Sequence, residues 1–87
     1  MHPDCTSSEE ASFEAQCSSV IMSDKFKPCH SVLPPQPFIG NCLYDMCEYD
    51  GMQATLCDNV EAYAQACQSS GVTISWRNNT FCRESGG

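Results

Sequence analysis

Cys29 and His30 stand side by side, and a cysteine beside a histidine is the residue pair of a thiolate–imidazole nucleophile. That chemistry needs a free thiol within hydrogen-bond reach of the ring, and adjacency in sequence supplies neither. A structural half-cystine is the better reading of Cys29. Asp45, Glu48 and Asp50 beside Gly51 offer a second candidate, a carboxylate loop for calcium. They lack the regular oxygen-donor spacing and closing glutamate that such a loop uses. Trp76-Arg77 joins two residue types enriched at binding hot spots. Trp76 also alternates with Val72 and Ile74, which favours core or domain packing over ligand contact. Asn78-Asn79-Thr80 is an N-glycosylation sequon with Asn78 as acceptor. No catalytic residue, metal ligand or cofactor is expected.

Cysteines occur at Cys5, Cys17, Cys29, Cys42, Cys47, Cys57, Cys67 and Cys82. Zinc knuckles place ligands two to four residues apart in paired sets, and no C-x-x-C occurs here. The histidines, His2 and His30, are far apart. Eight evenly counted cysteines in 87 residues instead predict four disulfides and an oxidising compartment, outside the cell or in the secretory lumen. The chain opens Met1-His2-Pro3-Asp4 with no apolar run of a signal peptide. It is therefore expected to be one module of a longer secreted polypeptide.

A chain of 87 residues is one small domain. Ordering it costs on the order of 1.5 kcal/mol per residue, and a chain this short buries only about 60–65% of its unfolded surface, so staples are needed. Eleven acidic against four basic residues leave a net charge of −7. Nucleic acid and anionic membrane surfaces are excluded as partners, because Lys25, Lys27, Arg77 and Arg83 are too few and too scattered to displace counterions. No stretch is apolar and long enough to cross a membrane.

Three helices must position the cysteines. Thr6-x-x-Glu9 and Ser7-x-x-Glu10 both have capping-box spacing, and Phe13, Cys17, Val20 and Ile21 follow on one helical face, which predicts a helix over 6–22. Lys25 to Pro37 holds four prolines and reads as an irregular, stiff connector, with Cys29 tacking it to a helix. Phe38, Cys42 and Met46 mark a second helix over 38–48. Asp50-Gly51 is a turn, and Leu56, Val60, Tyr63, Ala64 and Cys67 stripe a third helix over 52–70, with Gly71 at its C-cap. Tyr44 and Tyr63 are expected in the core. Val72, Ile74 and Trp76 then alternate as a short extended ending.

This geometry prunes the disulfide map. On a continuous helix Cys42 and Cys47 point about 140° apart, and Cys57 and Cys67 lie roughly 15 Å apart along one axis. Neither pair meets the spacing a disulfide needs, about 4.4–6.8 Å between Cα atoms. Eight cysteines allow roughly a hundred pairings, and about three quarters of them survive this exclusion. The bridges run between elements, and which elements stays open.

Phe26, Pro28-Cys29-His30-Ser31, Pro37-Phe38, Asn41-Cys42-Leu43-Tyr44-Asp45-Met46-Cys47, Leu56-Cys57, Ala62-Tyr63-Ala64 and Cys67 form one ordered pattern. It closes with Gly71-Val72-Thr73-Ile74-Ser75-Trp76-Arg77 and Phe81-Cys82. The pattern resembles the C8 module of von Willebrand factor type D assemblies, of the kind found in mucins, zonadhesin, tectorin and the IgG-Fc-binding protein. The resemblance covers residues 17–82, with Cys5 fitting the family's first, loosely spaced cysteine. It implies the pairs Cys5–Cys47, Cys17–Cys42, Cys29–Cys67 and Cys57–Cys82. Some relatives carry additional cysteines between the positions of Cys47 and Cys57, where this chain has none.

The expectation is a small disulfide-rich, mainly α fold, about three short helices with four staples and a short extended C-terminal segment. Residues 1–87 form a single C8-type module with its core at 5–82 and flanks at 1–4 and 83–87. The resemblance implies a non-enzymatic structural module of a secreted adhesive, mucin-like or extracellular-matrix glycoprotein. Its partners would be flanking type D and trypsin-inhibitor-like modules of the same parent chain, and other matrix or mucus proteins. The alternative is a free-standing secreted cysteine-rich protein, a lipid carrier or defence protein. Plant-type lipid-transfer proteins use adjacent Cys-Cys and Cys-x-Cys pairs, which this chain lacks.

Overall fold

The computed structural model describes residues 5–74. Helix α1 (Ser7–Ile21) opens at Thr6. The Glu9 amide donates to Thr6 Oγ1 at 3.1 Å, and the Thr6 amide donates to Glu9 Oε1 at 3.0 Å. Of the two capping boxes the spacing allows, this one sets the first residue of the helix. A 3-10 turn (Asp24–Phe26) leads into α2 (Lys27–His30), then come α3 (Gln36–Glu48) and α4 (Gln53–Ser69).

Among the described residues the helix count is four, not three. The added helix, α2, lies inside the stretch expected to be irregular. Pro28 stands in its first turn, where a missing N–H removes no intrahelical bond. One helical turn also sends Phe26 and Cys29 inward together, and both are fully buried. Pro37 is accommodated in the same way in the first turn of α3.

Both long helices after the connector end on left-handed residues. Gly71, at φ +97°, follows α4; its amide donates to Gln68 O and the Val72 amide reaches back to Cys67 O at 2.9 Å. This paired arrangement satisfies carbonyls that the helix end would otherwise leave open. At the end of α3, Asp50 (φ 60°) and Gly51 (φ 73°) turn the chain, and the Gly51 amide donates to Met46 O at 2.7 Å. Gly51 lies so close to Phe13 that a Cβ there would sit 2.7 Å from a ring carbon, which only glycine permits.

The extended ending expected over Val72, Ile74 and Trp76 is not a strand among the described residues. Val72 and Ile74 pack against the core as irregular chain, and Trp76 lies outside the described residues. A strand needs a partner for its amides and carbonyls, and alternation alone provides none.

Helices α1 and α3 run antiparallel, because residues rising from 5 to 17 are bridged to residues falling from 47 to 42. Helix α4 packs on both. Ile21, Phe26, Met46, Val60 and Tyr63 fill the space between them and are fully buried. Each such side chain contributes roughly 1.5–3 kcal/mol by leaving water. Tyr44 departs from expectation: it is 44% exposed, on the side of α3 away from Cys42 and Met46.

Candidate functional site

The chemistry-bearing residues of this chain are its half-cystines and the polar groups that lock the helices around them. Cys5 joins Cys47, Cys17 joins Cys42 and Cys29 joins Cys67, with Cα separations of 5.4, 6.1 and 5.9 Å. The bridges tie the chain just before α1 to α3, α1 to α3, and α2 to α4. No described cysteine is free. Cys57 is buried on α4; its expected partner Cys82 lies outside the described residues, as does Asn78.

Cys29 and His30 do not form a catalytic pair. The Cys29 sulfur is bound to Cys67 at zero exposure. His30 Nε2 instead sits 2.8 Å from Ile21 O and, facing a carbonyl, carries a proton and donates it. The ring thereby fastens α2 to the end of α1, and it stacks 6.5 Å from Tyr63. Tyr63 is the hub of the inner cluster, with Phe26 at 5.5 Å and Phe38 at 5.0 Å between ring centroids. Its hydroxyl donates to Leu33 O at 2.7 Å, holding the Pro-rich connector down on α4. Burial pushes its phenol pKa above the ordinary value.

Asp45 is committed to a structural contact. Asn59 Nδ2 donates to Asp45 Oδ2 at 3.1 Å and to Thr55 O at 3.0 Å, while Asn59 Oδ1 accepts from Asn41 Nδ2 at 3.0 Å. Asn59 is the one buried polar side chain among the described residues. The sequence reading passed over it, although a signal was present: Asn59 interrupts the apolar stripe of α4 between Leu56 and Tyr63. A polar residue on such a stripe marks a hydrogen-bonded node. Among the described residues no three His, Cys, Asp or Glu side chains converge on a metal-sized space.

A surface groove of about 440 Å³ lies between α1 and α3. Glu14, Ser18 and Met22 line one wall and Gln36, Ile39, Gly40 and Leu43 the other. Sequence reasoning missed it too. Gly40, a glycine inside an amphipathic helix, was the available sign.

Four packed helices, covalently tied element to element around a filled interior, define a class: a small disulfide-stapled helical module. A family model described as C8 domain matches residues 16–83, most of the chain, and the protein belongs to that family. It is 41% identical over 70 residues to von Willebrand factor of Bos taurus, an alignment covering 80% of this chain and 8% of that protein. It is 38% identical over 82 residues to zonadhesin of Sus scrofa, covering 92% of this chain and 3% of that protein. Over 84 residues it is 36% identical to the IgGFc-binding protein of Homo sapiens, covering 92% of this chain and 2% of that protein. The chain thus spans under a tenth of the length of these relatives. No solved structure matches it. No helix among the described residues is long and apolar enough to cross a membrane.

Proposed function

We propose that this chain is a non-enzymatic structural module of a secreted, multidomain adhesive, mucin-like or extracellular-matrix glycoprotein, packed beside a type D module of the same polypeptide. The observation that carries the reading is the family match over residues 16–83 on a core in which every described cysteine is oxidised. A thiol-free, bridged interior suits an oxidising compartment. Its reactive residue types are spent on holding helices together: Cys29 in a bridge, His30 on a backbone carbonyl, Asp45 on Asn59. Relatives many times longer than this chain support its role as one part of a larger assembly. On this reading residues 1–87 are a single module with its core at 5–82. Cys57 pairs with Cys82, and Asn78 is a glycan acceptor.

The test is calorimetric. The chain is unfolded alone and joined to the type D module that precedes it in its parent polypeptide. A shared transition, or a raised Tm for the smaller module, supports packing of the two. Two independent transitions at the temperatures of the separated parts would overturn it.

A further inference from the structure

The groove between α1 and α3 has three properties that no described part of the chain explains. Gly40 sits inside α3, where glycine weakens a helix relative to alanine. A Cβ built on it meets nothing within 4 Å, so no contact among the described residues calls for glycine there. Met22, on the opposite wall, is 46% exposed beside the half-buried Ile39 and Leu43, leaving an apolar floor in water. Finally, Glu14 stands on the rim with no hydrogen bond or ion pair to any described residue. Helices α1 and α3 together carry Glu9, Glu10, Glu14, Asp45 and Glu48 and not one lysine or arginine.

These properties select an occupant. A missing Cβ lets another backbone or a bulky side chain come close to α3. The apolar floor calls for an apolar side chain, and the Glu14 carboxylate on the rim, with no lysine or arginine on either flanking helix, calls for a cation beside it. A second copy of this chain would set one acidic face against another at a net charge of −7 each, and an anionic lipid surface is repelled for the same reason. We propose that the α1–α3 groove is the seat of a segment of the adjoining module, one that presents lysine or arginine beside a bulky apolar side chain. This rests on the module reading above and adds the surface and chemistry of the contact.

Oxidative footprinting of methionine tests it. Dilute hydrogen peroxide converts exposed thioethers to sulfoxides. In the isolated chain Met22 (46% exposed) and Met52 (56%) oxidise readily while the fully buried Met46 does not. In the intact parent polypeptide Met22 is expected to slow at least tenfold. Gly40→Leu, which fills the groove without touching the core, restores fast oxidation at Met22. Raising salt from about 0.15 to 1 M shortens the screening length from ~8 to ~3 Å and speeds it too. Glu14→Gln does the same in part, whereas Asp58→Asn, an equal charge change on α4, leaves the rate unmoved. Circular dichroism and a full disulfide count on each isolated variant establish that it is folded.

Met22 oxidising as fast in the parent as in the isolated chain overturns the proposal. So does protection that Gly40→Leu leaves intact. In either case a shared calorimetric transition would preserve the module reading with a different surface, and independent transitions would remove both.

Discussion

The hydroxyl of Tyr63 donates to the carbonyl of Leu33 across 2.7 Å, joining α4 to a connector 30 residues earlier in the chain. Together with the Cys29–Cys67 bridge and the contact of His30 with Ile21 O, this bond fixes the proline-rich segment against its neighbours. It is made from the ring that Phe26, Phe38 and His30 surround.

Tyr63→Phe keeps the ring and removes the donor, leaving Leu33 O without it. Urea denaturation is expected to show a loss of about 1–2 kcal/mol at neutral pH. The folded protein holds the phenolic proton to higher pH than the unfolded chain does. The stability tied to it is therefore intact below about pH 10 and lost as pH rises through the folded value. Wild type should weaken over that alkaline range more than Tyr63→Phe does. Equal slopes would remove Tyr63 as the source.

Asn59→Ala deletes a side chain that makes one donation and one acceptance between α3 and α4 and a further donation within α4. The loss is expected to be about 1–3 kcal/mol, the cost of stranding buried polar partners. Asn59→Asp should be worse than a simple isostere, since it replaces a donor facing Asp45 with a second carboxylate. That variant should recover as pH falls below the carboxylate range. Chemical denaturation at about pH 7 and about pH 3 compares them.

Two glycines should respond with opposite signs. Gly51→Ala forces a Cβ into the Phe13 ring at a positive φ and should destabilise by more than about 1 kcal/mol. Gly40→Ala places its methyl in open space inside a helix and should stabilise the isolated chain by about 0.5–1 kcal/mol. Thermal melts of both variants decide it.

The bridges differ in access. Cys5 is partly exposed, whereas Cys17, Cys42, Cys29 and Cys67 have no exposure at all. Thiol–disulfide exchange needs an approachable sulfur. Limiting dithiothreitol followed by alkylation should label Cys5 and Cys47 before those four, and peptide mapping reads the order. Removing the Cys29–Cys67 bridge by paired alanine substitution should cost about 2–4 kcal/mol.

Local rules carried the long helices. Thr6 and Glu9 announce the start of α1, and Leu56, Val60, Tyr63 and Cys67 announce the buried face of α4, because both signals lie within a few residues of chain. The connector was opaque for the opposite reason. Pro28 breaks a helix interior but suits a first turn, and burial of Phe26 and Cys29 decided which it was. Val72 and Ile74 alternate over too few residues to specify a strand without a partner. Disulfide choice is non-local: spacing forbade two pairs, and only the antiparallel setting of α1 against α3 brings Cys5 to Cys47 and Cys17 to Cys42. The groove was illegible because Gly40 has meaning only once the wall facing it is known.

The Cys5–Cys47 bridge also has a mechanical consequence. It closes a sequence separation of 42 residues, which fully drawn out would add roughly 140 Å of length. A pull applied at residue 5 and residue 74 passes through the sulfur–sulfur bond and leaves that stretch slack. While the bridge holds, tension can melt helices in this chain but cannot pay out their full contour. A polymer built with such a link lengthens elsewhere first, and because Cys17–Cys42 and Cys29–Cys67 shortcut the same stretch, the link yields its whole reserve only when a reductant has cut all three bonds.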